Sequence, residues 1–539
     1  MARVGSRRAT QSEKEVGVNR RHFFMSGLLA GASGLASRSM QAQTVVTDVI
    51  PSTCGPTPPF MAPLPVPRDY SPVSGLSPAI VPGRHQHFEE YAPARFYECR
   101  VREFGHRFHP NLDETRTWGY DSEHPGPTLR CRYGEPVMLR IHNDLPANHV
   151  GFGIPQISTH LHNAHTATES DGFPGDFYGP GVYRDHHYCA TLAGHDPAEA
   201  LGTLWYHDHR LDFTAQNVYR GLAGMSILTD DLDTGDETTG LHLPSGDFDV
   251  PLVFQDRAFD AASQPIFNTF NNDGFLGDKF CVNGAIQPFM KVARRKYRFR
   301  MLNASLSRFY EFALSSKAPM VQIASDGNLL TAPVPRANVR IAPAERVDVI
   351  VDFSNYAKDT SVFLVNRLGQ TSGKKPDGTL ATPVPFIRFD IDRDEPDASV
   401  IPDALRSMPL FSVSEAVRTR RWVFNRTNGA WNVNGKIFNV NTPAAVIKQG
   451  TAEIWTLRNE SGGWAHPIHI HFEEFRILSR NGRTPPAWEQ GRKDVVVVGP
   501  NEEVRIFMRF RDFLGRHVMH CHNLTHEDHA MMIRWDIEA

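Results

Sequence analysis

The sequence predicts an all-β protein made of three copies of one Greek-key sandwich or barrel. Three segments alternate apolar and polar residues and each ends in asparagine, at Asn143, Asn303 and Asn459. These positions lie 160 and 156 residues apart, which is typical of an internal repeat. Short alternating runs separated by Gly, Pro, Asn and Asp dominate, and helical periodicity is rare. Repeats of about 160 residues built from short strands fit a Greek-key sandwich or barrel.

Length and composition agree with several globular domains. At about 150 residues per domain, 539 residues hold three or four domains. A composition of 40% hydrophobic and 22% charged residues excludes a disordered or collagenous chain. Six Cys are too few for a dense disulfide scaffold, whereas 25 His is an unusual number.

Residues 1–42 differ from the rest of the chain and are predicted to be an export leader. Arg20 and Arg21 precede an apolar stretch from Met25 to Ala36, and a small residue, Ala42, follows as a cleavage point. This pattern resembles a twin-arginine signal, which predicts export by the twin-arginine machinery to the periplasm or the cell exterior. The stretch is shorter than the roughly 17 to 25 residues that cross a membrane. A disordered basic tail is the alternative.

Removal of the leader makes the protein acidic. The formal net charge is −3 for the whole chain and +5 for the leader, so a chain that begins at Gln43 carries −8. An acidic protein binds nucleic acids and anionic membranes poorly. We expect no nucleic-acid partner, no stable membrane insertion and a monomeric state.

The repeats set the expected domain boundaries. Asn283-Gly284 and Asn434-Gly435 are hairpin-turn signals upstream of the last two strand-ending asparagines, which supports a common fold. The polar stretch from Arg367 to Gly378 is predicted to be a loop. Three unrelated β domains are the alternative. The predicted domains are 43–232, with a Pro-rich N-terminal segment, 233–396 and 397–539.

Histidines are concentrated in pairs separated by one residue. Residues i and i+2 of a strand point to one face, so each pair directs two imidazoles at one place. One pair alone fits a structural zinc site or a surface pair, whereas four pairs in the first and last repeats indicate a cluster of two or three metals. The pairs are His160 and His162, His207 and His209, His469 and His471, and His520 and His522.

Cys521 lies between the two histidines of the last pair and should face the opposite side of its strand. Two His, one Cys thiolate and a weak axial Met form a blue-copper site for one-electron transfer. His466, His526 and Met531 complete that set here. A disulfide role for Cys521 is the alternative, but it leaves the flanking histidines unexplained.

Four motifs resemble those of the three-domain multicopper oxidases: STHLHNAH, WYHDH, HPIHIH and HCHNLTHEDHAMM. Pro125 to Thr128, Cys281 to Asn303 and Ser325 to Gly327 are similar to the spore-coat laccase and bilirubin oxidase branch. The resemblance implies three cupredoxin domains and four copper ions. One is a type 1 copper in domain three, and the others form a trinuclear cluster between domains one and three.

The resemblance also implies the copper ligands. Neither the division between type 2 and type 3 ligands nor the choice of Met531 over Met532 follows from spacing alone. The implied ligands are His466, Cys521, His526 and axial Met531 for type 1, His160 and His469 for type 2, and His162, His207, His209, His471, His520 and His522 for type 3.

Two acids match carboxylates that this branch uses near its cluster. Asp171 resembles one that assists proton delivery, and Glu527 resembles one on the oxygen and proton path. Reduction of O2 to water consumes four protons in a site closed to bulk solvent, so such groups are needed. Alternatively, Asp171 caps a turn before Gly172 and Glu527 pairs with a neighbouring cation.

Trp464, two residues before His466, resembles the Trp that bilirubin oxidases place beside the type 1 copper. The resemblance predicts a covalent bond between Trp464 and His466; a core aromatic residue is the alternative.

Asn163 departs from the family pattern, in which Gly often follows the first histidine pair. Four further histidines and five cysteines match no ligand position, and we interpret the histidines as structural or surface residues. They are His165, His186, His187 and His529, and Cys54, Cys99, Cys131, Cys189 and Cys281.

The sequence therefore predicts a copper-dependent oxidase with O2 as acceptor. Phenols, aromatic amines or a tetrapyrrole such as bilirubin would give single electrons to the type 1 copper, and the trinuclear cluster would reduce O2 to water. A metal-ion oxidase acting on Cu(I), Fe(II) or Mn(II) is the main alternative, although the 14 Met form no cluster. A copper nitrite reductase would carry its Cys beside an early histidine pair, and a non-enzymatic cell-division member would lack the ligands.

Overall fold

Strands form most of the regular structure in the computed structural model, which describes residues 48–539. The predicted leader, residues 1–42, lies outside the described residues. Within the described part, no helix is both long and apolar enough to cross a membrane. The six cysteines all lie in this part and are free thiols.

The first third of the described chain contains nine strands and two short helices. They are β1 (Val49–Ile50), β2 (Arg95–His106), β3 (Thr115–Tyr120), β4 (Gly126–Arg132), β5 (Val137–Asn143), β6 (Thr159–His162), α1 (Thr168–Asp171), β7 (Tyr183–Tyr188), β8 (Thr203–Asp208), α2 (Thr214–Arg220) and β9 (Ala223–Thr229).

The middle third contains thirteen strands. They are β10 (Asp249–Arg257), β11 (Leu276–Gly277), β12 (Lys279–Val282), β13 (Ala285–Ile286), β14 (Phe289–Ala293), β15 (Lys296–Asn303), β16 (Tyr310–Leu314), β17 (Met320–Ser325), β18 (Asn328–Arg336), β19 (Val339–Ile341), β20 (Arg346–Asp352), β21 (Thr360–Gly369) and β22 (Gly378–Arg393).

The last third contains eleven strands and one helix. They are β23 (Ala416–Thr427), β24 (Ala430–Val433), β25 (Ala445–Lys448), β26 (Thr451–Asn459), β27 (His466–Ile470), β28 (Phe475–Arg480), β29 (Arg492–Lys493), β30 (Val495–Val498), β31 (Glu503–Phe510), β32 (Gly515–Cys521), α3 (Leu524–Asp528) and β33 (Met532–Glu538).

Each third folds into two sheets, which we call the first, second and third sandwich. The first has the strand orders β3-β2-β5-β7 and β4-β9-β8-β6. The second has β13-β12-β10-β15-β20-β17-β18 and β14-β22-β21-β16-β19. The third has β24-β23-β26-β31-β28-β29 and β25-β33-β32-β27-β30. Each sandwich buries its own apolar core, and β1 pairs with β11.

The three strands that end in asparagine occupy equivalent places. β5, β15 and β26 each pair parallel with a preceding strand and antiparallel with a following one. Each Asn side chain is buried, and its Oδ1 accepts a hydrogen bond from the backbone N–H two residues further on. Its Nδ2 donates to the carbonyl of a later segment, because a strand end leaves such groups unpaired. These carbonyls belong to Tyr178, Ile341 and Val498.

The hairpin signals lie at tight turns. Asn283 and Gly284 have φ of 49° and 79° and join β12 to β13. Asn434 and Gly435 have φ of 52° and 73° and follow β24. Positive φ at both central residues is the geometry of the type I′ turn, which Asn-Gly favours.

The loop in the polar stretch of the second sandwich is shorter than predicted. β21 continues to Gly369 and β22 begins at Gly378, so only residues 370–377 are irregular. Leu368 is buried, and its apolar side chain explains why the strand extends past Arg367.

A buried ion-pair network of the second sandwich also contacts the first sandwich through Thr203. Asp348 accepts hydrogen bonds from Arg298 Nη2 at 2.7 Å and from Thr203 Oγ1 at 2.8 Å. Arg298 also bridges to Asp233 at 2.9 Å. All four side chains are buried. Removal of one partner would leave an uncompensated charge, which costs more than the pair itself contributes.

We expect Asp348→Ala to lower the stability of the folded chain by about 3 kcal/mol, because Arg298 would keep its charge without one of its two acids. This corresponds to a fall of roughly 3 °C in the melting transition followed by circular dichroism. Glu135→Gln is the control, since the Arg95–Glu135 pair is exposed and should change stability by less than about 1 kcal/mol. Equal melting temperatures for the two variants would contradict the assigned importance of the buried pair.

Candidate metal centre

Four strands bring the histidine pairs to one place between the first and third sandwiches. β6 and β8 are neighbours with His160 opposite His207, and β27 and β32 are neighbours with His469 opposite His520. The two sheets face each other, and all eight imidazoles of the predicted cluster are fully buried between them. The i, i+2 spacing puts each pair on one face, but only the packing of the sandwiches brings the pairs together.

The inner nitrogens of this cluster lie within a few ångströms of one another. His209 Nε2 lies 3.2 Å from both His471 Nε2 and His520 Nε2. His160 Nε2 lies 3.4 Å from His469 Nε2. This spacing suits nitrogens that bind shared metal ions. Without an ion, the nitrogen lone pairs of neutral imidazoles would face one another with little gain in stability.

Two groups of three rings and one pair can be picked out among the eight. The nitrogens of His209, His471 and His520 form one triad, with a spacing compatible with one metal ion. The rings of His162, His207 and His522 form the other, with centroids 5.3 to 5.8 Å apart. His160 and His469 remain as the pair. The nitrogens also form overlapping groups, His160 with His469 and His471, and His160 with His162 and His207.

The carboxylate of Asp171 faces the cluster. Its Oδ2 accepts a hydrogen bond from His471 Nδ1 at 2.8 Å, and His160 Nδ1 donates to its carbonyl oxygen at 2.6 Å. Burial tends to raise the pKa of Asp171, but the two imidazoles outweigh burial and hold the pKa well below its ordinary value. Gly172 follows with φ of 84°, and a Cβ there would lie 2.2 Å from Thr159 O, so this turn packs tightly against β6.

Glu527 contacts two other cluster histidines. Its Oε1 lies 3.2 Å from His209 Nδ1 and its Oε2 lies 2.8 Å from His520 Nδ1. Burial tends to raise the pKa of Glu527, whereas these imidazoles lower it to about 2. Among the described residues, no Lys or Arg forms an ion pair with Glu527, so the alternative pairing with a cation is absent there.

Sequence reasoning missed a third acid, Asp494. Its Oδ1 accepts a hydrogen bond from His162 Nε2 at 2.8 Å, and its carbonyl accepts one from His469 Nδ1 at 3.0 Å. Arg346 of the second sandwich donates to the same carboxylate through Nη1 at 3.0 Å. The only signal in the sequence is a charged pair, Lys493-Asp494, directly before four valines.

A mononuclear site lies in the core of the third sandwich. Cys521 Sγ lies 3.4 Å from His466 Nδ1 and 3.5 Å from His526 Nδ1, and these two nitrogens are 3.2 Å apart. All three side chains are fully buried. His520 and His522 flank Cys521 but belong to the other cluster, as expected when neighbours on a strand face opposite sides.

The two consecutive methionines occupy different environments. Met531 packs in the same apolar core as Cys521, and its backbone carbonyl accepts a hydrogen bond from the Cys521 N–H at 3.0 Å. Met532 packs against Phe173 and Val518 in a separate cluster. Met531 is therefore on the same side as the mononuclear site.

Outer contacts fix the two imidazoles of the mononuclear site. His466 Nε2 lies 2.7 Å from Ser461 Oγ, and His526 Nε2 lies 2.9 Å from Asp273 O. Trp431, which sequence reasoning also missed, packs against His526 with ring centroids 3.9 Å apart and ring planes 35° apart. Trp464 packs edge-on against Trp431 at 5.2 Å.

The donor set fits metal binding. In the described chain, His207 Nε2, His162 Nδ1 and both nitrogens of His522 are buried without a hydrogen-bond partner. Buried polar atoms normally have partners, so these nitrogens are suited to bind metal ions. Burial lowers the pKa of His466 to about 3 and that of the cluster residue His207 well below its ordinary value. Neutral imidazole and thiolate are the forms that bind copper.

Asn163, the departure from the family pattern, has a backbone reason. Its φ is 71°, in the left-handed region where Gly is favoured and Asn is the next best residue. Its Nδ2 also donates to Asp326 O at 2.8 Å, a contact that Gly cannot make. Each of the four further histidines has one ring nitrogen within hydrogen-bond distance of a partner. His165 contacts Asp512, His186 contacts Ser170 O, His187 contacts Tyr91 O and His529 contacts Thr525 O.

Three family models, each described as multicopper oxidase, match residues 106–233, 254–384 and 410–539. They confirm the resemblance that the motifs carry, and together they cover most of the chain. The predicted all-β fold with three cupredoxin-like domains is confirmed as well.

Curated relatives and a solved structure support the same family as the family models. The chain is 36% identical to a bilirubin oxidase of Albifimbria verrucaria over 81% of this chain and 75% of that protein. It is 32% identical to a laccase of Bacillus subtilis over 82% of this chain and 94% of that protein. A laccase structure from Pediococcus acidilactici superposes with a TM-score of 0.76 and 27% identity, over 90% of this chain and 96% of that chain.

Removal of bound copper by a chelator should lower the melting temperature of the chain, because a ligand held at about 1,000 times its Kd stabilises the folded state by about 4 kcal/mol. His471→Gln should reduce this stabilisation, since it removes a nitrogen from the cluster. His529→Gln alters an exposed imidazole outside both sites and should leave the stabilisation by copper unchanged. Differential scanning calorimetry with and without copper tests this, and a copper-independent melting temperature would contradict it.

Proposed function

The chain belongs to the multicopper oxidase family, and on this premise we propose that it oxidises phenols, aromatic amines or a tetrapyrrole such as bilirubin one electron at a time and reduces O2 to water. The enzyme class, a copper-dependent oxidoreductase with O2 as acceptor, follows from the family. The curated relatives carry the names bilirubin oxidase and laccase, which supports organic donors. The single observation that carries the proposal is the position of Cys521 between two cluster histidines.

We propose four copper ions per chain. When bound, a type 1 copper supplies one-electron transfer and a trinuclear cluster of one type 2 and two type 3 coppers supplies the four-electron reduction of O2. The family resemblance supports the division of ligands, and the close nitrogens of His209, His471 and His520 agree with it. The proposed sets are His466, Cys521, His526 and Met531 for type 1, His160 and His469 for type 2, and His162, His207, His209, His471, His520 and His522 for type 3.

Cys521 connects the two sites through the backbone. Its thiol faces His466 and His526, while its neighbours His520 and His522 belong to the other cluster. One peptide link on each side therefore joins the sites without any movement of the chain. Burial raises the pKa of the Cys521 thiol, so a bound cation is needed to hold the thiolate.

Asp171 and Glu527 are proposed to serve protons. Asp171 accepts a hydrogen bond from His471 through Oδ2, and its Oδ1 lies 3.2 Å from His160 Nδ1, so one carboxylate contacts two cluster histidines. Glu527 contacts the outer nitrogens of His209 and His520 and so orients both rings. Both acids are fully enclosed, and enclosure makes internal proton carriers necessary.

Donor access is proposed at the outer side of the mononuclear site, where Trp464 is partly exposed. A covalent bond between Trp464 and His466 stays a proposal that peptide mass mapping would test. A metal-ion oxidase is not favoured, since the 14 Met form no cluster in the sequence. The natural donor depends on these loops and not on the fold.

Location and organisation are also proposed. The twin-arginine pattern at Arg20 and Arg21 supports export to the periplasm or the cell exterior. We propose domains at 43–232, 233–396 and 397–539, and a monomer.

A donor panel and copper analysis test the proposed function. Copper-loaded protein should contain about four copper ions per chain, show an intense thiolate-to-copper absorption band and oxidise a phenol or bilirubin under air faster than it oxidises Cu(I). Copper well below four ions or the absence of that band would contradict the oxidase assignment. Faster oxidation of Cu(I) than of every organic donor would replace the donor class with metal ions.

Asp171→Asn should reduce O2 turnover by about 10- to 100-fold, because a residue that holds metal-binding histidines has effects of this size. The absorption band of the mononuclear site should persist, since Asp171 contacts His471 and His160 and not Cys521. Steady-state O2 consumption and the visible spectrum test both points.

Glu169→Gln is the matched control, because Glu169 lies on the same helix turn and bonds to Gln86 away from the cluster. It should keep wild-type turnover. Unchanged turnover in Asp171→Asn would exclude the proposed proton role.

A further inference from the structure

A cavity of about 370 Å³ lies between the second and third sandwiches and takes no part in the proposed mechanism. Its apolar lining includes Phe309, Ala342, Ala465 and Val497, and the indole of Trp488, which is 40% exposed, forms one wall. Ala465 directly precedes His466 in the chain. The cavity therefore extends to within one peptide link of a proposed type 1 ligand.

Most charges that line this cavity are already paired. Lys493 Nζ binds Asp326 at 2.8 Å and Glu345 at 3.1 Å. Arg480 binds Glu489 at 2.7 Å and Glu502 at 3.2 Å. Arg340 binds Glu311 at 2.9 Å. These three cations and five carboxylates form a polar rim in which every cation has at least one acidic partner.

Two cations at the cavity have no such partner. Arg336 lies over the Trp488 ring at 3.9 Å and donates to the Gln322 amide oxygen at 2.7 Å. In the part of the chain that the structure describes, no carboxylate lies within ion-pair distance of Arg336 or of the exposed Lys375. The segment that carries Lys375 is fixed at its start by a hydrogen bond from Ala465 N–H to Lys374 O at 2.8 Å.

We propose that this cavity binds a planar aromatic donor that carries a carboxylate or sulfonate group. A guanidinium receives such an anion through two parallel hydrogen bonds, and Arg336 has donors free for this. The aromatic ring would lie against Trp488 and the apolar floor, a combination typical of small-molecule sites of this size. Lys375 adds positive charge at the mouth.

This inference rests on the proposed function and specifies its donor class. A bound phenolic donor loses one electron towards His466, across Ala465, and releases its phenolic proton to water at the open mouth, leaving a phenoxyl radical. Four such donors supply the four electrons that reduce one O2, with four protons, to two waters. The route needs no oxidant other than O2.

Binding is tested first with a redox-inert probe, 3,5-dimethoxybenzoate, on copper-loaded protein by titration calorimetry. Arg336→Gln should raise the Kd for the probe about tenfold, the loss of affinity expected for one charged hydrogen-bonded contact. Arg336→Lys keeps the charge and should recover part of the affinity. Arg418→Gln, an exposed arginine of β23 that does not line the cavity, is the matched control and should bind like the wild type.

Turnover is tested with 2,6-dimethoxyphenol and its carboxylated analogue, syringate. The ratio of kcat/KM for syringate to that for the neutral phenol should fall about tenfold in Arg336→Gln, matching the loss of probe affinity, and stay constant in Arg418→Gln.

Probe binding that does not depend on Arg336 would overturn the inference, as would a constant kcat/KM ratio in a variant that has lost probe affinity. Normal turnover of the neutral phenol in either case would leave the proposed function intact. Absence of turnover with every donor would overturn the proposed function and the donor role of this cavity with it.

Discussion

The burial of eight imidazoles between the first and third sandwiches is the constraint on which the rest of the structure depends. A buried imidazole has two nitrogens that need partners, and it must stay neutral to bind a metal. Asp171, Glu527 and Asp494 contact outer nitrogens of the cluster, each from a different segment. With those nitrogens occupied, the inner ones face one shared space.

The second sandwich contributes no proposed ligand, yet the cluster depends on it. Arg346 donates two hydrogen bonds to Asp494, which in turn holds His162 and contacts His469. Without that guanidinium, a fully buried carboxylate would lack its cation, a state that costs several kcal/mol. The middle domain is therefore part of the support of the site and more than a spacer.

The mononuclear site illustrates how a strand serves two sites. Cys521 points into the apolar core of the third sandwich, which also contains Met531 and Trp431, while the adjacent histidines point to the cluster. Alternation along β32 thus separates the two sites by one residue and links them covalently. Outside the core, Lys374 contacts the ring of the partly exposed Trp464, and the next residue, Lys375, lines the cavity beside Ala465. The cavity and Trp464 are therefore neighbours.

The sequence alone determined the repeat, the strands that carry the paired histidines and the set of residues suited to copper, because period-two alternation and residue chemistry are local properties. It also indicated Asp171 and Glu527 through family resemblance. Tertiary structure decided that the eight histidines meet in one cluster, that Met531 and not Met532 packs with Cys521, and that Asp494, Arg346 and Trp431 contact the sites. Apart from the packing of Met531, these outcomes depend on contacts between segments more than 90 residues apart, such as Trp431 with His526 and Arg346 with Asp494, and no local pattern encodes such contacts.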